Sequence, residues 1–258
     1  MVRNLEDDRI LEDNVKQAVL NTKDLLAYLG NLGKTKIIYE KAMNYGNLIA
    51  DAVCFTQNQG IIGYEIKTEY DTLKRLPKQL DSYVRVCNYV FVFCHDSKVK
   101  EVSDLLNQKG YGFVGIIGYA DFNGDVISGL YQKATPSPKF SLRACLSMLW
   151  KNEIYAILSV YINHPTRVVQ NTLGGPVDKV HSQYRAGQAQ YGIVRRDMTK
   201  RVLVSTFVNA IPPAEGVRII CEMFITENYD PKKNLQLYNY GDSYIHDVTF
   251  PDGYKRRR

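Results

Sequence analysis

What the chain lacks narrows its chemistry first. Its five cysteines are an odd number, scattered through mostly apolar runs, and no two have Cys-x-x-Cys spacing. Neither a zinc site nor a disulfide framework is therefore expected. No apolar run reaches the length of a membrane-spanning helix. The opening MVRNLEDDRILEDN is too acidic and polar for a secretory leader. There is no Gly-x-Ser-x-Gly, and NTLGGPVDK lacks the Gly-Lys-Ser/Thr ending of a phosphate-binding loop. His95, His164, His181 and His246 show no ligand spacing. The expectation is a soluble, reduced, cytoplasmic protein with no membrane partner.

What is present is ordinary in bulk, with 45% apolar and 23% charged residues. The 258 residues allow one large domain, or a core with an appended module. A net charge of +6 suits an anionic partner such as nucleic acid.

Periodicity predicts a helix from Arg9 to Leu29, closed by the glycines of GNLGK, then three strands in TKIIYEKAM, NLIADAVCF and IIGYEIK. YDTLKRLPKQLDSYVRVC reads as a helix with Pro77 at its start. YVFVFC is continuous and apolar, as a strand buried on both faces must be. A helix ending at Gly110 follows, and then two strands joined at Asn-Gly in ADFNGD. This order predicts an α/β core over residues 1–133, a mixed central sheet flanked by helices. ATPSPK (134–139) reads as a linker. Residues 140–258 read as a mainly helical extension with a basic tail, Lys255-Arg256-Arg257-Arg258. Its helices are expected over 140–162 and near 177–190 and 196–210.

One stretch carries chemistry. In GYEIKTEYDTLKRLPKQL, Glu65 and Lys67 share one face of a strand that otherwise reads as interior. Taking 56–60 as a five-residue hairpin loop pairs Phe55 with Ile61. Asp51 then lies across from Glu65, with Lys67 one step along the same face. Two opposed carboxylates repel each other, and burial raises their pKa. They need a counter-charge, from Lys67 or from a divalent cation. Mg²⁺ is commonly held by one or two carboxylates together with waters and phosphate oxygens.

Asp51 followed by Glu65-Ile66-Lys67 resembles the Asp…(Asp/Glu)-x-Lys signature of the PD-(D/E)XK, or restriction-endonuclease-like, nuclease superfamily. Gln79-x-x-x-Tyr83 on the next helix is similar to the Gln-x-x-x-Tyr motif of its RecB-like branch. The phrase ADAVCF…IIGYEIKTEYDTLKRLPKQLDSYVRVCNYVFVF resembles a family of small bacterial and phage proteins assigned to that superfamily. Leu149, Trp150 and Glu153 are similar to the C-terminal helical part of that family. The resemblance is good over residues 36–95 and looser to 210.

It implies a restriction-endonuclease-like core that binds Mg²⁺ or Mn²⁺ through Asp51 and Glu65. Lys67 would be the catalytic lysine, and Gln79 and Tyr83 accessory catalytic residues. Glu40 is a further candidate ligand by position and charge, and Glu12 is one of several first-helix acids that are candidates for the helix-one glutamate often found in such sites. Lys74, Arg75, Lys78 and Arg85 make the following helix basic and are candidates for nucleic-acid contact. The expected function is a metal-dependent nuclease, with DNA as first choice of substrate. The alternatives are a ribonuclease, or an inactive nucleic-acid-binding or interaction protein on the same fold. A homodimer or protein partner is expected through the C-terminal helices.

Overall fold

The computed structural model describes residues 14–43, 46, 48–122, 125–163, 169–170, 176–177, 182–185, 188–191 and 194–235. The chain divides into two compact units, residues 1–148 and 149–258.

In the first unit, residues 14–20 are helical (α1) and run into a 3-10 segment, Asn21–Leu29. The single helix expected there tightens at Thr22, whose hydroxyl donates back to the Val19 carbonyl at 2.8 Å. Gly30, at φ 92°, ends it in a conformation that favours glycine. Six strands follow: β1 (Thr35–Met43), β2 (Leu48–Thr56), β3 (Gly60–Lys67), β4 (Tyr89–His95), β5 (Gly115–Phe122) and β6 (Asp125–Gln132). They lie in one sheet in sequence order. The pairs β3–β4 and β4–β5 are parallel and the rest antiparallel. The parallel steps need crossovers, supplied by α2 (Leu76–Val86) and α3 (Val99–Lys109). Gly110 closes α3 in the left-handed region, at φ 73°.

This is the expected mixed α/β architecture. One face of the sheet is a dry core, in which Val15, Val19 and Leu26 pack against Ala52, Cys54, Ile62, Tyr64, Phe91, Phe93, Ile117 and Tyr119. These strand residues alternate, so Val53, Phe55, Ile61, Gly63, Glu65 and Lys67 belong to the other face, which α2 covers. The closeness of α2 is fixed at Gly63, where a Cβ would meet the Tyr83 ring at 2.6 Å and the Cys87 sulfur at 2.8 Å.

Residues 134–148 belong to the first unit. The Ser137 hydroxyl donates to the Val84 carbonyl (2.6 Å), and the N–H groups of Ser137 and Ser141 donate to Asn88 and Arg85. These bonds bind the expected linker to the end of α2. The single helix expected over 140–162 is two: α4 (Leu142–Cys145) with a 3-10 turn to Met148, then α5 (Lys151–Asn163). The break has a local cause, because Glu153 Oε2 accepts the Trp150 N–H at 2.6 Å. A carboxylate three residues into a helix reaching back in this way starts a new helix.

The second unit contains α5, α6 (Lys200–Ala210), α7 (Pro213–Ile225) and α8 (Pro231–Asn234). Thr199 caps α6 and Asp230 caps α8. The helix expected near 177–190 is replaced by strands. Ser182–Arg185 pairs antiparallel with Gln188–Tyr191, and Val169–Gln170 pairs with Pro176–Val177. SQYR and QAQY alternate on either side of Ala186-Gly187, a pattern that favours a hairpin over a helix. Among the described residues, no helix is long and apolar enough to cross a membrane.

Candidate functional site

The β2–β3 ladder runs in the expected register, with Phe55 opposite Ile61 and Ala52 opposite Tyr64. It stops there. At the next position along, Asp51 and Glu65 are not paired with each other, although Glu65 stays paired with β4, and side chains take over the bonding. The Asp51 carboxylate accepts the Ile66 N–H through Oδ2 at 2.7 Å. The Tyr83 hydroxyl accepts the Asp51 N–H and donates to the Tyr64 carbonyl, both at 2.9 Å. Tyr83 thus stands as a wedge where β2 and β3 part. It is fully buried and reaches that point because Gly63 leaves its ring room.

Glu65 is fully buried and Lys67 nearly so. The Lys67 ammonium donates to Glu65 Oε1. Glu65 Oε2 is buried with no hydrogen-bond partner. A buried, unbonded carboxylate oxygen costs more than the usual hydrogen bond returns, and it leaves an acceptor free in the site. Burial pushes the Glu65 carboxyl up to about 7, and the neighbouring Asp51 charge adds to this, against Lys67 and the nearby Tyr83 hydroxyl, which lower it. Burial also raises Asp51, against the Ile66 N–H and Lys67, which lower it. Asp71 raises it further, and Arg75 draws it down. Asp71 is held in the turn after β3, where it accepts from the Thr68 N–H (2.7 Å) and hydroxyl (2.9 Å).

Gln79 lies one turn before Tyr83 on α2, and its Oε1 is a second buried oxygen without a partner. Lys74, Arg75, Lys78 and Arg85 are all exposed, on α2 and the 3-10 turn before it. Asp81 interrupts them and accepts the Tyr111 hydroxyl at 2.6 Å.

Glu40 is not brought in as a third ligand. By register it belongs opposite Asp51, but the β1–β2 ladder skips that pair between Tyr39↔Ala52 and Lys41↔Ala50. Glu40 has φ 52°, a left-handed backbone that takes it out of the ladder, and its side chain is exposed. Among the described residues, no three His, Cys, Asp or Glu side chains form a group able to hold a metal ion. Glu12, the basic tail and three of the four histidines lie outside the described residues.

Two residues the sequence reading passed over matter here. Gly63 admits Tyr83, and Asp71 adds a third carboxylate to the field at Asp51. A lone glycine inside a strand is the signal that could have pointed to the first, because it marks a close approach.

The whole arrangement lies within residues 5–239, which match the family model of bacteriophage P4 protein cII. The chain belongs to the bacteriophage P4 protein cII family. No curated protein and no solved structure matches it. In this cII-family chain the paired acids fit a hard divalent cation. Asp51 and Glu65 offer oxygen donors, and Glu65 Oε2 is buried and uncommitted.

Proposed function

We propose that this cII-family protein is a PD-(D/E)XK-type nuclease that hydrolyses phosphodiester bonds, with DNA as substrate and Mg²⁺ or Mn²⁺ as cofactor. The observation that carries the reading is the unpartnered Glu65 Oε2, buried beside Asp51 and Lys67 at the point where β2 and β3 part. A structural ion pair would satisfy both oxygens. This one leaves an acceptor for a ligand.

Asp51 and Glu65 would hold the cation, which supplies charge neutralisation at the scissile phosphate and acidifies a water bound to it. Lys67, anchored on Glu65 Oε1, would orient the attacking water and neutralise charge developing on the phosphorane. Water attacks phosphorus, the bond to the 3′ oxygen breaks, and that oxygen leaves with a proton, giving a 5′-phosphate. Tyr83 is a positioning residue, because its hydroxyl is committed on both sides. Arg75 and the lysines of α2 would carry the phosphodiester backbone.

The test is a panel of linear duplex, circular duplex, single-stranded DNA and RNA with Mg²⁺ or Mn²⁺, run on wild type and Lys67→Ala together. Cleavage by wild type that is lost in Lys67→Ala is expected. Equal cleavage by both would sink the site.

One observation favours a second reading. Among the described residues Asp51 and Glu65 are joined by no third acid in a group able to hold a metal ion, as in an inactive nucleic-acid-binding protein on this fold. Binding of nucleic acid without cleavage or Mn²⁺ uptake by calorimetry selects it.

A further inference from the structure

Several exposed apolar side chains share the sheet face that carries the candidate site. Among the described residues seven large ones are exposed: Leu20, Ile49, Tyr70, Phe122, Ile127, Tyr131 and Trp150. Five of these lie on the sheet that carries Lys67 or in the turn that follows it. Ile49 is two residues before Asp51 on β2 and shares its face. Tyr70 is in the turn that follows Lys67. The other three lie on β5 and β6. In register Lys67 stands level with Cys94, Cys94 with Gly118, and Gly118 with Gly129. Alternation from Gly118 puts Ala120 and Phe122 on the Lys67 face, together with Ile127, the partner of Ala120.

Tyr131 is placed there by three separate features. The β5–β6 ladder shifts register between Ile116 and Ile117, whose partners are Gln132 and Leu130, so Tyr131 is the extra residue of a bulge. Bulges of this kind re-aim a side chain. The ring occupies the space where a Cβ on Gly118 would stand, at 2.4 Å. The hydroxyl donates to Asp96 Oδ1 at 2.7 Å. A ring 57% exposed is thus held over Gly118, whose strand is two steps and roughly 10 Å across the sheet from that of Lys67.

We infer that Phe122, Ile127 and Tyr131 form a shelf on which the unpaired bases of a single-stranded nucleic acid stack as the strand enters the site. The inference rests on the nuclease reading and names its substrate class. A duplex turns its phosphates outward and hides its base faces, so it has no use for apolar rings beside a phosphodiester site. A single strand exposes both. The shelf's own charges orient the strand. Asp96 and Asp125 repel phosphate, so the bases face the rings and the backbone runs toward Lys74 and Arg75. Each stacked base is worth about 10-fold in affinity.

The experiment is fluorescence anisotropy on the full chain in EDTA, with labelled oligo-dT, oligo-rU, a hairpin duplex and a base-free deoxyribose-phosphate oligomer of equal length. Tyr131→Ala and Phe122→Ser should each weaken oligo-dT binding about 10-fold and leave the duplex and the base-free oligomer unchanged. Tyr131→Phe keeps the ring and should stay within about 3-fold of wild type. Equal weakening on oligo-rU widens the class to RNA, and its absence restricts it to DNA. Either result keeps the shelf. Thermal melting of each variant separates loss of stacking from loss of fold. Where Tyr131→Ala melts early, Phe122→Ser carries the test. Unchanged single-strand affinity in both variants, or equal losses on the base-free oligomer, overturns the shelf. If wild type cleaves while the shelf variants bind normally, the nuclease reading survives alone. If binding depends on the bases but nothing is cut, the shelf survives and the nuclease reading falls.

Discussion

Both units of the chain contain a buried acid beside a base, and the two are built differently. In the second unit, the Arg218 guanidinium donates to both oxygens of the buried Glu215 (2.9 and 2.8 Å) and to Glu222 Oε2 (2.8 Å). The hydrogen bond to Glu215 holds its pKa above the ordinary arginine value. In the first unit, Lys67 bonds one oxygen of Glu65 and leaves the other bare, with a second carboxylate beside it. A closed cluster anchors α7 to itself. An open one keeps two carboxyls whose pKa burial raises, with one oxygen unbonded. Satisfaction, more than burial, separates the two.

The largest expected effect separates them by activity. Asp51→Ala, Glu65→Ala and Lys67→Ala should each lower metal-dependent cleavage at least ~10³-fold in a gel assay, a magnitude typical of losing a group that meets transition-state charge. Each should keep a cooperative melt. Arg218→Ala should do the reverse. It strands the buried Glu215, so urea unfolding should show a loss of about 3 kcal/mol, while cleavage per folded molecule stays near wild type. Arg218→Ala that stays stable would place the second cluster on the same footing as the first.

Next comes pH. Glu65 has a folded pKa near 7, above its ordinary 4.5, so the native state holds this proton more tightly than the unfolded chain. Its contribution is fully present below about pH 4.5 and is lost as pH rises through about 7. Glu65→Gln removes that titration. The melting temperature of wild type minus that of Glu65→Gln, measured without metal, should therefore fall between pH 5 and 8, by a few degrees. Mn²⁺ should reverse the fall, because binding requires the ionised carboxylate. A difference that is flat with pH would mean that Glu65 is not strained.

Much of this was legible because strand chemistry is local. Alternation placed Glu65 and Lys67 on one face, and the register that puts Phe55 opposite Ile61 holds although Thr56 and Gly60 also pair, which shortens the expected five-residue loop to 57–59. YVFVFC announced the central parallel strand, β4. The parts that resisted reading depend on contacts distant in sequence, or on one residue acting against its surroundings. Nothing near Tyr83 in the sequence says that its hydroxyl ends a ladder 32 residues away at Asp51. Glu40 continues the charge pattern of β1, yet its backbone leaves the strand conformation. The helix expected over 140–162 kept its apolar period through the break, because Glu153 bonds backward and leaves the pattern of apolar residues untouched.

The smallest effect is the most specific to the open site. Tyr83→Phe keeps the ring over Gly63 and removes only the hydroxyl that joins Asp51 to Tyr64. Two backbone groups lose a buried partner, at about 1–2 kcal/mol in urea unfolding. Gly63→Ala forces the ring aside, since a Cβ there would meet it at 2.6 Å, with a cost of about 1–3 kcal/mol. If the ring and the hydroxyl act as one wedge, Gly63→Ala has already moved the hydroxyl, and adding Tyr83→Phe should cost little more. The double variant should then be less destabilised than the sum of the singles, a coupling of roughly 1 kcal/mol that a double-mutant cycle resolves. Mn²⁺ affinity by calorimetry should fall in all three variants, about 10-fold, because Asp51 loses the bond that orients it. Full additivity with unchanged Mn²⁺ affinity would reduce Tyr83 to a packing residue and leave the opening between β2 and β3 to the two carboxylates alone.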